Sequence, residues 1–333
     1  MRPLSTGLCR QEEMSLAIQW FPGHMHLTKK AIQARIKSID VVIELLDARL
    51  PGSSANPMLA ELTGDRPGLK LLNKQDLANP TQTAAWLAHY CSQPGTHALA
   101  LDASVAAQVR ALLPACRALA PGRGGMAKPM RVLICGIPNV GKSTLINTLT
   151  ARRAAKTGDE AGITKLEQCI TLADDFYLYD TPGLLWPRII VAKSGYNLAA
   201  SGAIGRNAFS EEEVALELLD YLKTHYPQAL QLRYKLADAA AFTEEALLEA
   251  IGRQRGALQS GQRVQLQKAA ELLIHDFRAG ALGPLTLETP AEFSQWLLAG
   301  QQLDAQRQVK KDAIELDRKI RFKQIPRPGT VSQ

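Results

Sequence analysis

Two short phrases of this chain answer to a single nucleotide site, and they come in inverted order. Asn73-Lys74-Gln75-Asp76 has the residues of a guanine-reading loop, and Gly136-Ile137-Pro138-Asn139-Val140-Gly141-Lys142-Ser143 those of a phosphate-binding loop. In the usual arrangement of such domains the phosphate loop comes first. Here it follows the base-reading loop, which implies an α/β nucleotide-binding domain whose chain is circularly permuted. The permutation decides which segments border the parts that respond to nucleotide.

The apolar runs agree with that topology. Val41–Leu46 ends at Asp47-Ala48-Arg49, Leu69–Leu72 leads into Asn73, Ala98–Leu101 forms a third strand, and Met130–Cys135 opens into the phosphate loop and a helix from Lys142. Residues 168–172 and 176–179 read as a strand pair, the second delivering Asp180. Such runs alternating with helical stretches predict a mostly parallel sheet covered by helices, a Rossmann-like three-layer domain. A helix over 106–119 precedes a Gly- and Pro-rich flexible connector at 120–129, where a permuted domain must join its former ends. Beyond Ser210 apolar residues recur at helical spacing over 211–223, 243–252 and 264–278. The expected organisation is a tail at 1–13, the permuted domain at 14–205, an all-α domain at 210–298 and a basic tail at 299–333, helical with a loose end near Ile325.

Each motif has a chemical reason. Gly-x-x-x-x-Gly-Lys-Ser between strand and helix lets the backbone amides around Asn139, Val140, Gly141 and Thr144 turn toward phosphates. Lys142 neutralises β and γ oxygens, Ser143 ligates Mg²⁺, and the following helix N-terminus adds positive potential. In Asp180-Thr181-Pro182-Gly183, Asp180 holds Mg²⁺ through a water and the Gly183 N–H meets a γ-phosphate. Thr164 is the candidate to close over Mg²⁺, with Thr157 as its rival. Asp76 accepts two hydrogen bonds from guanine, Asn73 contacts the base and the neighbouring loop, and the Lys74 stem covers the ring. Adenine lacks those donors, and sites built this way discriminate by roughly 10⁴. Ala103 and Ser104 are expected to offer backbone contacts to the guanine oxygen. The cofactors implied are GTP or GDP with Mg²⁺. Asn139 either caps its turn or presents an amide oxygen to K⁺, and Leu184 stands where related sites place a water-orienting Gln.

A net charge of +7 favours a polyanionic partner without requiring one. The five cysteines, Cys9, Cys91, Cys116, Cys135 and Cys169, are scattered, which fits reduced, mostly buried thiols in a cytoplasmic protein rather than a disulfide or metal framework. No apolar run reaches the roughly 18 residues of a membrane span. A GTP-gated scaffold that binds a protein is the alternative reading. Basic stretches at 253–268 and 307–327 favour RNA over it.

Taken together, the chain resembles the circularly permuted ribosome-assembly GTPases of the RbgA/YlqF type. The resemblance is carried by Gln19–Met25, Leu46-Asp47-Ala48-Arg49-Leu50-Pro51, Ser53-Ser54, Asn56-Pro57, Asn73–Asp76, the phosphate loop, Gly162–Lys165, Asp180–Gly183, Arg255-Gly256 and Asp276–Gly280. It implies a GTPase acting late in maturation of the large (50S) ribosomal subunit, binding rRNA and stimulated by the pre-subunit; the chain itself is expected to be a monomer. It also implies His24 as the catalytic residue in place of the absent Gln, and K⁺ bound through Asn139. Ala161, where a Pro usually stands, and Gly52 and Ala55 depart from the pattern.

Overall fold

The structure is a computed structural model that describes residue 18 and residues 20–324, apart from 65, 152–167 and 237; for His24 and 316–324 only the backbone is described. Helix α1 (Gly23–Arg35) precedes β1 (Val41–Asp47), which every side chain's burial marks as an interior strand. Helices α2 (Pro51–Ser54) and α3 (Pro57–Thr63) lead to β2 (Gly68–Asn73), and α4 (Pro80–Cys91) to β3 (Thr96–Ala100). Then come α5 (Ala106–Val109), α6 (Leu112–Leu119), β4 (Met130–Gly136), α7 (Lys142–Thr150), and the pair β5 (Gln168–Ala173) and β6 (Phe176–Asp180). The sheet runs β3-β2-β1-β4-β6-β5, parallel throughout except for β5 at one edge. The phosphate-loop strand β4 thus stands mid-sheet between β1 and β6 although it is fourth along the chain. All the motif loops leave the carboxyl ends of parallel strands, the edge where open α/β sheets bind ligands.

The remaining elements are helical: α8 (Ala192–Ser201), α9 (Glu211–His225), α10 (Pro227–Tyr234), α11 (Glu244–Gln254), α12 (Leu266–Arg278) and α13 (Pro290–Gln324). Their starts have local causes. Ser210 Oγ accepts from Glu213 N and Thr243 Oγ1 from Ala246 N, and each cap is followed by glutamates that complement the positive helix end. Such a cap stabilises a helix by about 1 kcal/mol.

Several local expectations need correction. The helix predicted over 106–119 is two, because Pro114 in the first turn of α6 cannot tolerate a helical carbonyl four residues earlier, at Arg110, where α5 has ended. Val264 lies outside α12, bridging Leu258 and packing so closely on α11 that a methyl at Gly252 would lie 2.4 Å from it. The connector at 120–129 is a hydrogen-bonded turn, closed by the Gly125–Lys128 bridge and fastened by Arg123 Nε to Asp40 Oδ1 at 3.0 Å. The expected junction at 298/299 falls inside α13, which is one helix across it. Residues 1–13 and Ile325 lie outside the described residues. Cys116 and Cys135 are buried, burial pushing the Cys116 thiol up to about 12, whereas Cys91 and Cys169 are exposed, against expectation. No helix among the described residues is long and apolar enough to cross a membrane.

The segment between α12 and α13 returns to the sheet domain. Leu285 N donates to Leu77 O at 3.1 Å, Leu287 N to Arg49 O at 2.7 Å, and Trp86 Nε1 to Glu288 O at 3.0 Å. Phe293 of α13 then packs on Gly52, where a methyl would lie 2.6 Å from its ring, so this departure from the family pattern has a packing reason. The Glu288 carboxylate is fully buried. It accepts from Ser53 N at 2.7 Å, from Ser53 Oγ and from Asn197 Nδ2 at 3.2 Å. Burial raises its carboxyl from 4.5 to about 7, against the pull of the Ser53 and Asn197 donors.

The native state therefore keeps a proton that the unfolded chain loses near 4.5, and this contribution to stability declines as pH rises from there through about 7. A shift of that size corresponds to about 3 kcal/mol. In denaturant melts between pH 5 and 8, the wild type is expected to lose stability along this window and Glu288→Gln to show a flatter profile. Equal slopes would contradict the assignment.

Candidate nucleotide-binding site

One amide ties three loops together. Asn73 ends β2 buried; its Nδ2 donates to Val140 O in the phosphate loop at 2.8 Å, and its Oδ1 accepts from Ala103 N at 2.8 Å. Gly141, with φ of 98°, lies directly under that amide: a methyl there would stand 2.3 Å from Asn73 Nδ2. Gly141→Ala therefore combines backbone strain of about 1–2 kcal/mol with a broken bridge. A drop in thermal midpoint and at least tenfold weaker GDP binding, roughly 1.4 kcal/mol, are expected by calorimetry; a variant that binds as wild type would show that the three loops need not be joined.

Lys74 follows in the left-handed conformation, with φ of 62°. Its Nζ donates to Asp47 Oδ2 at 2.9 Å and to Asn139 O at 3.0 Å. Asp47 is gripped from the other side by the Arg49 fork, Nε to Oδ1 at 2.9 Å and one terminal nitrogen to Oδ2 at 2.8 Å. Burial would raise the Asp47 carboxyl, but the Arg49 and Lys74 cations hold it well below the usual carboxylate range. Burial likewise lowers the Lys74 ammonium, with Asp47 opposing. Asn139 has φ of 57°, and its Nδ2 donates to Gly202 O at 2.9 Å, which fixes the direction of the amide.

Asp180 closes β6 with its carboxylate out of solvent, and neither oxygen has a hydrogen-bond partner among the described residues. Lys142 Nζ stands 3.8 Å from Oδ1. Burial raises the Asp180 carboxyl while Lys142 opposes the shift. A buried carboxylate with unused acceptors, beside a lysine at the N-terminus of α7 and the half-buried Ser143 and Thr144, has the donor chemistry that suits Mg²⁺ and phosphates. Gly183 lies against the phosphate loop, where a methyl would come within 2.9 Å of Pro138 Cα. The next residue, Leu184, is buried; its N–H donates to Gly136 O at 3.0 Å and its carbonyl accepts from Asn56 Nδ2 at 3.0 Å. It has neither the polarity nor the exposure to orient water.

The structure brings together Asn73, Lys74, Asn139, Val140, Gly141, Lys142, Asp180 and Gly183, with Asp76 exposed on the turn after Lys74. Two expected donors are engaged within the protein: Ala103 N by Asn73, and Ser104 N by Asp102 Oδ1 at 2.8 Å. Backbone contact of Ala103 and Ser104 with a guanine would thus compete with, or share, those bonds. His24 sits in the first turn of α1. Thr164 and Thr157 lie outside the described residues. Sequence reasoning gave no role to Asp47, Arg49 or Asn56. The signal was present: charged residues directly after the apolar run of a central strand have no reason to be there unless the fold pairs them.

A phosphate loop on the middle strand of a parallel sheet, bridged by an asparagine to a base-reading loop earlier in the chain, defines a circularly permuted P-loop GTPase fold with a helical C-terminal region. The chain is 41% identical to ribosome biogenesis GTPase A of Priestia megaterium, over 84% of this chain and 99% of that one. It belongs to the ribosome biogenesis GTPase A family, and is a GTPase. It is also 32% identical to mitochondrial ribosome-associated GTPase 1 of Mus musculus, over 81% of this chain and 90% of the relative. Residues 131–241 match a family described as 50S ribosome-binding GTPase. Among solved structures, GNP-bound YlqF from T. maritima superposes with a TM-score of 0.57 at 22% identity, over 79% of this chain and 98% of that one, a likeness of fold.

Proposed function

We propose that this chain hydrolyses GTP to GDP and phosphate as an assembly factor in late maturation of the large (50S) ribosomal subunit, binding rRNA and changing its affinity with nucleotide state. The reading rests above all on the Asn73 bridge between base loop and phosphate loop, with the Asp180 carboxylate and Lys142 facing each other beyond it. Asp76 accepts from the guanine N1–H and N2 amine, and Lys74 covers the ring. Lys142 neutralises the β and γ oxygens, the Gly183 N–H meets the γ-phosphate, and Ser143, Thr164 and Asp180 hold Mg²⁺. When bound, the ion would offset negative charge on the phosphate oxygens. A K⁺ role for Asn139 falls to its amide oxygen, since the nitrogen donates to Gly202.

With Leu184 buried, His24 takes the task of orienting water. Of the basic stretch 253–268, Arg255 is committed to Asp276 at 3.0 Å, and Arg253 and Lys268 pair at the surface with Glu249 and Glu271, so phosphate contacts would fall to exposed Arg263 and to Arg253 and Lys268 by exchange of those solvent-exposed pairs. The chain works as a monomer in the cytoplasm.

GTP turnover measured in K⁺ and in Na⁺ buffer, with and without immature large subunits, tests the reading. Turnover is expected to rise with the subunits and in K⁺, and His24→Ala to lower the stimulated rate by roughly 10²-fold. Unstimulated turnover with salt-insensitive protein binding would favour the scaffold reading; an unchanged His24→Ala rate would remove His24 from catalysis.

A further inference from the structure

The motif Asp47-Ala48-Arg49 is not used up by nucleotide contacts. Arg49 is buried, and besides its fork on Asp47 it donates from a third nitrogen to Phe277 O at 3.1 Å, with its guanidinium carbon 4.7 Å from the centre of the Phe277 ring. Asp47 also receives Lys74, which reaches on to the carbonyl of Asn139. Charge-assisted contacts therefore run without a break from the phosphate loop, through Lys74, Asp47 and Arg49, to the last turn of α12.

Two further contacts reach the same turn. Arg278 donates through Nε to Ala200 O and through a terminal nitrogen to Ala199 O, both at 2.8 Å, at the end of α8, where Gly202 receives the Asn139 amide. Gly280, with φ of 72°, lies so close to Leu77, one residue after Asp76, that a methyl there would stand 2.6 Å from Leu77 Cδ2. The stretch Phe277–Gly280 thus meets Arg49 after β1, Leu77 beside the base loop and the end of α8, which the phosphate loop touches through Asn139.

We propose that Arg49 is a positioning residue that joins the guanine loop to the C-terminal turn of α12, so that nucleotide occupancy is read at Phe277–Gly280 through Lys74 and Asp47. This route runs through side-chain contacts, apart from the backbone that continues from Gly183 into α8, and it rests on the guanine-nucleotide reading above. Only arginine suits the position: a planar fork meets both carboxylate oxygens and still has a nitrogen for Phe277 O, which the single ammonium of lysine cannot do.

Hydrogen exchange on the full chain, with and without saturating GDP, tests this, together with GDP affinity by calorimetry. In the wild type GDP is expected to slow exchange at 275–281 about tenfold, alongside the slowing at 73–77 and 136–144. In Arg49→Lys, GDP still binds, about tenfold more weakly, and slows 73–77 and 136–144 as before, while the slowing at 275–281 is largely lost. Phe277→Leu keeps an apolar side chain but removes the ring under the guanidinium; it is expected to lose part of the same effect, and it carries the test if Arg49→Lys does not fold. Full slowing at 275–281 in these variants would overturn the proposal, as would a wild type that binds GDP with no change there. A wild type that binds no GDP would remove the nucleotide reading itself, and this proposal with it.

Discussion

Asp76→Asn is expected to reverse the choice of base. A carboxylate presents two acceptors to the two donors along the guanine edge; an amide presents one acceptor and one donor, so its NH₂ faces a guanine N–H and one hydrogen bond becomes a repulsion. Xanthine carries an oxygen in place of the guanine amine and matches the amide. Asp76 lies exposed on the turn that Lys74 starts, so the change alters recognition without opening the core. Competition against a fluorescent GDP analogue should show GDP weakened by about 10³-fold or more, the range in which sites built on hydrogen bonds reject a mismatched partner, and XDP gaining. GDP affinity within twofold of wild type would mean that Asp76 does not read the base.

Lys142→Ala is expected to remove most of the remaining affinity. The ammonium is buried 3.8 Å from the Asp180 carboxylate, on the residue that opens α7 directly after the phosphate loop. Removing one partner from a buried charged contact costs about 2–5 kcal/mol, roughly 30- to 4,000-fold in affinity. A second readout separates binding from folding. Lys142 opposes the upward shift of Asp180, so without it that carboxyl moves higher still. The nucleotide-free variant then keeps a proton the unfolded chain has released, and its stability falls more steeply than wild type as pH rises through the Asp180 value. Unchanged GDP affinity would contradict the site, and an unchanged pH profile would contradict the Lys142–Asp180 contact.

Much of this was legible in the residues because it is local. Apolar runs that end in Asp47, Asn73, Gly136 and Asp180 state both the strand and the loop at its carboxyl end, and the position of each loop in a parallel sheet follows. The order of Asn73–Asp76 and Gly136–Ser143 announces the permutation before any coordinate. What was not legible depends on contacts between distant segments. Arg49 meets Phe277 across 228 positions, and neither residue carries a periodic or spacing signal that names the other. Buried Glu288 looks like one more surface glutamate until Ser53 and Asn197 close around it. The split at Pro114 was available from proline chemistry alone, whereas the exclusion of Val264 from α12 was not, since it depends on the bare surface of Gly252.

The coordinates of the chain crystallised with GDP and Mg²⁺ test the central claim most directly. The account places one GDP across the carboxyl edge of the sheet, with guanine N1 and N2 about 3 Å from the Asp76 carboxylate and a β-phosphate oxygen about 3 Å from Lys142 Nζ. A nucleotide held by either group with the other turned away from it would contradict the single site on which the account depends.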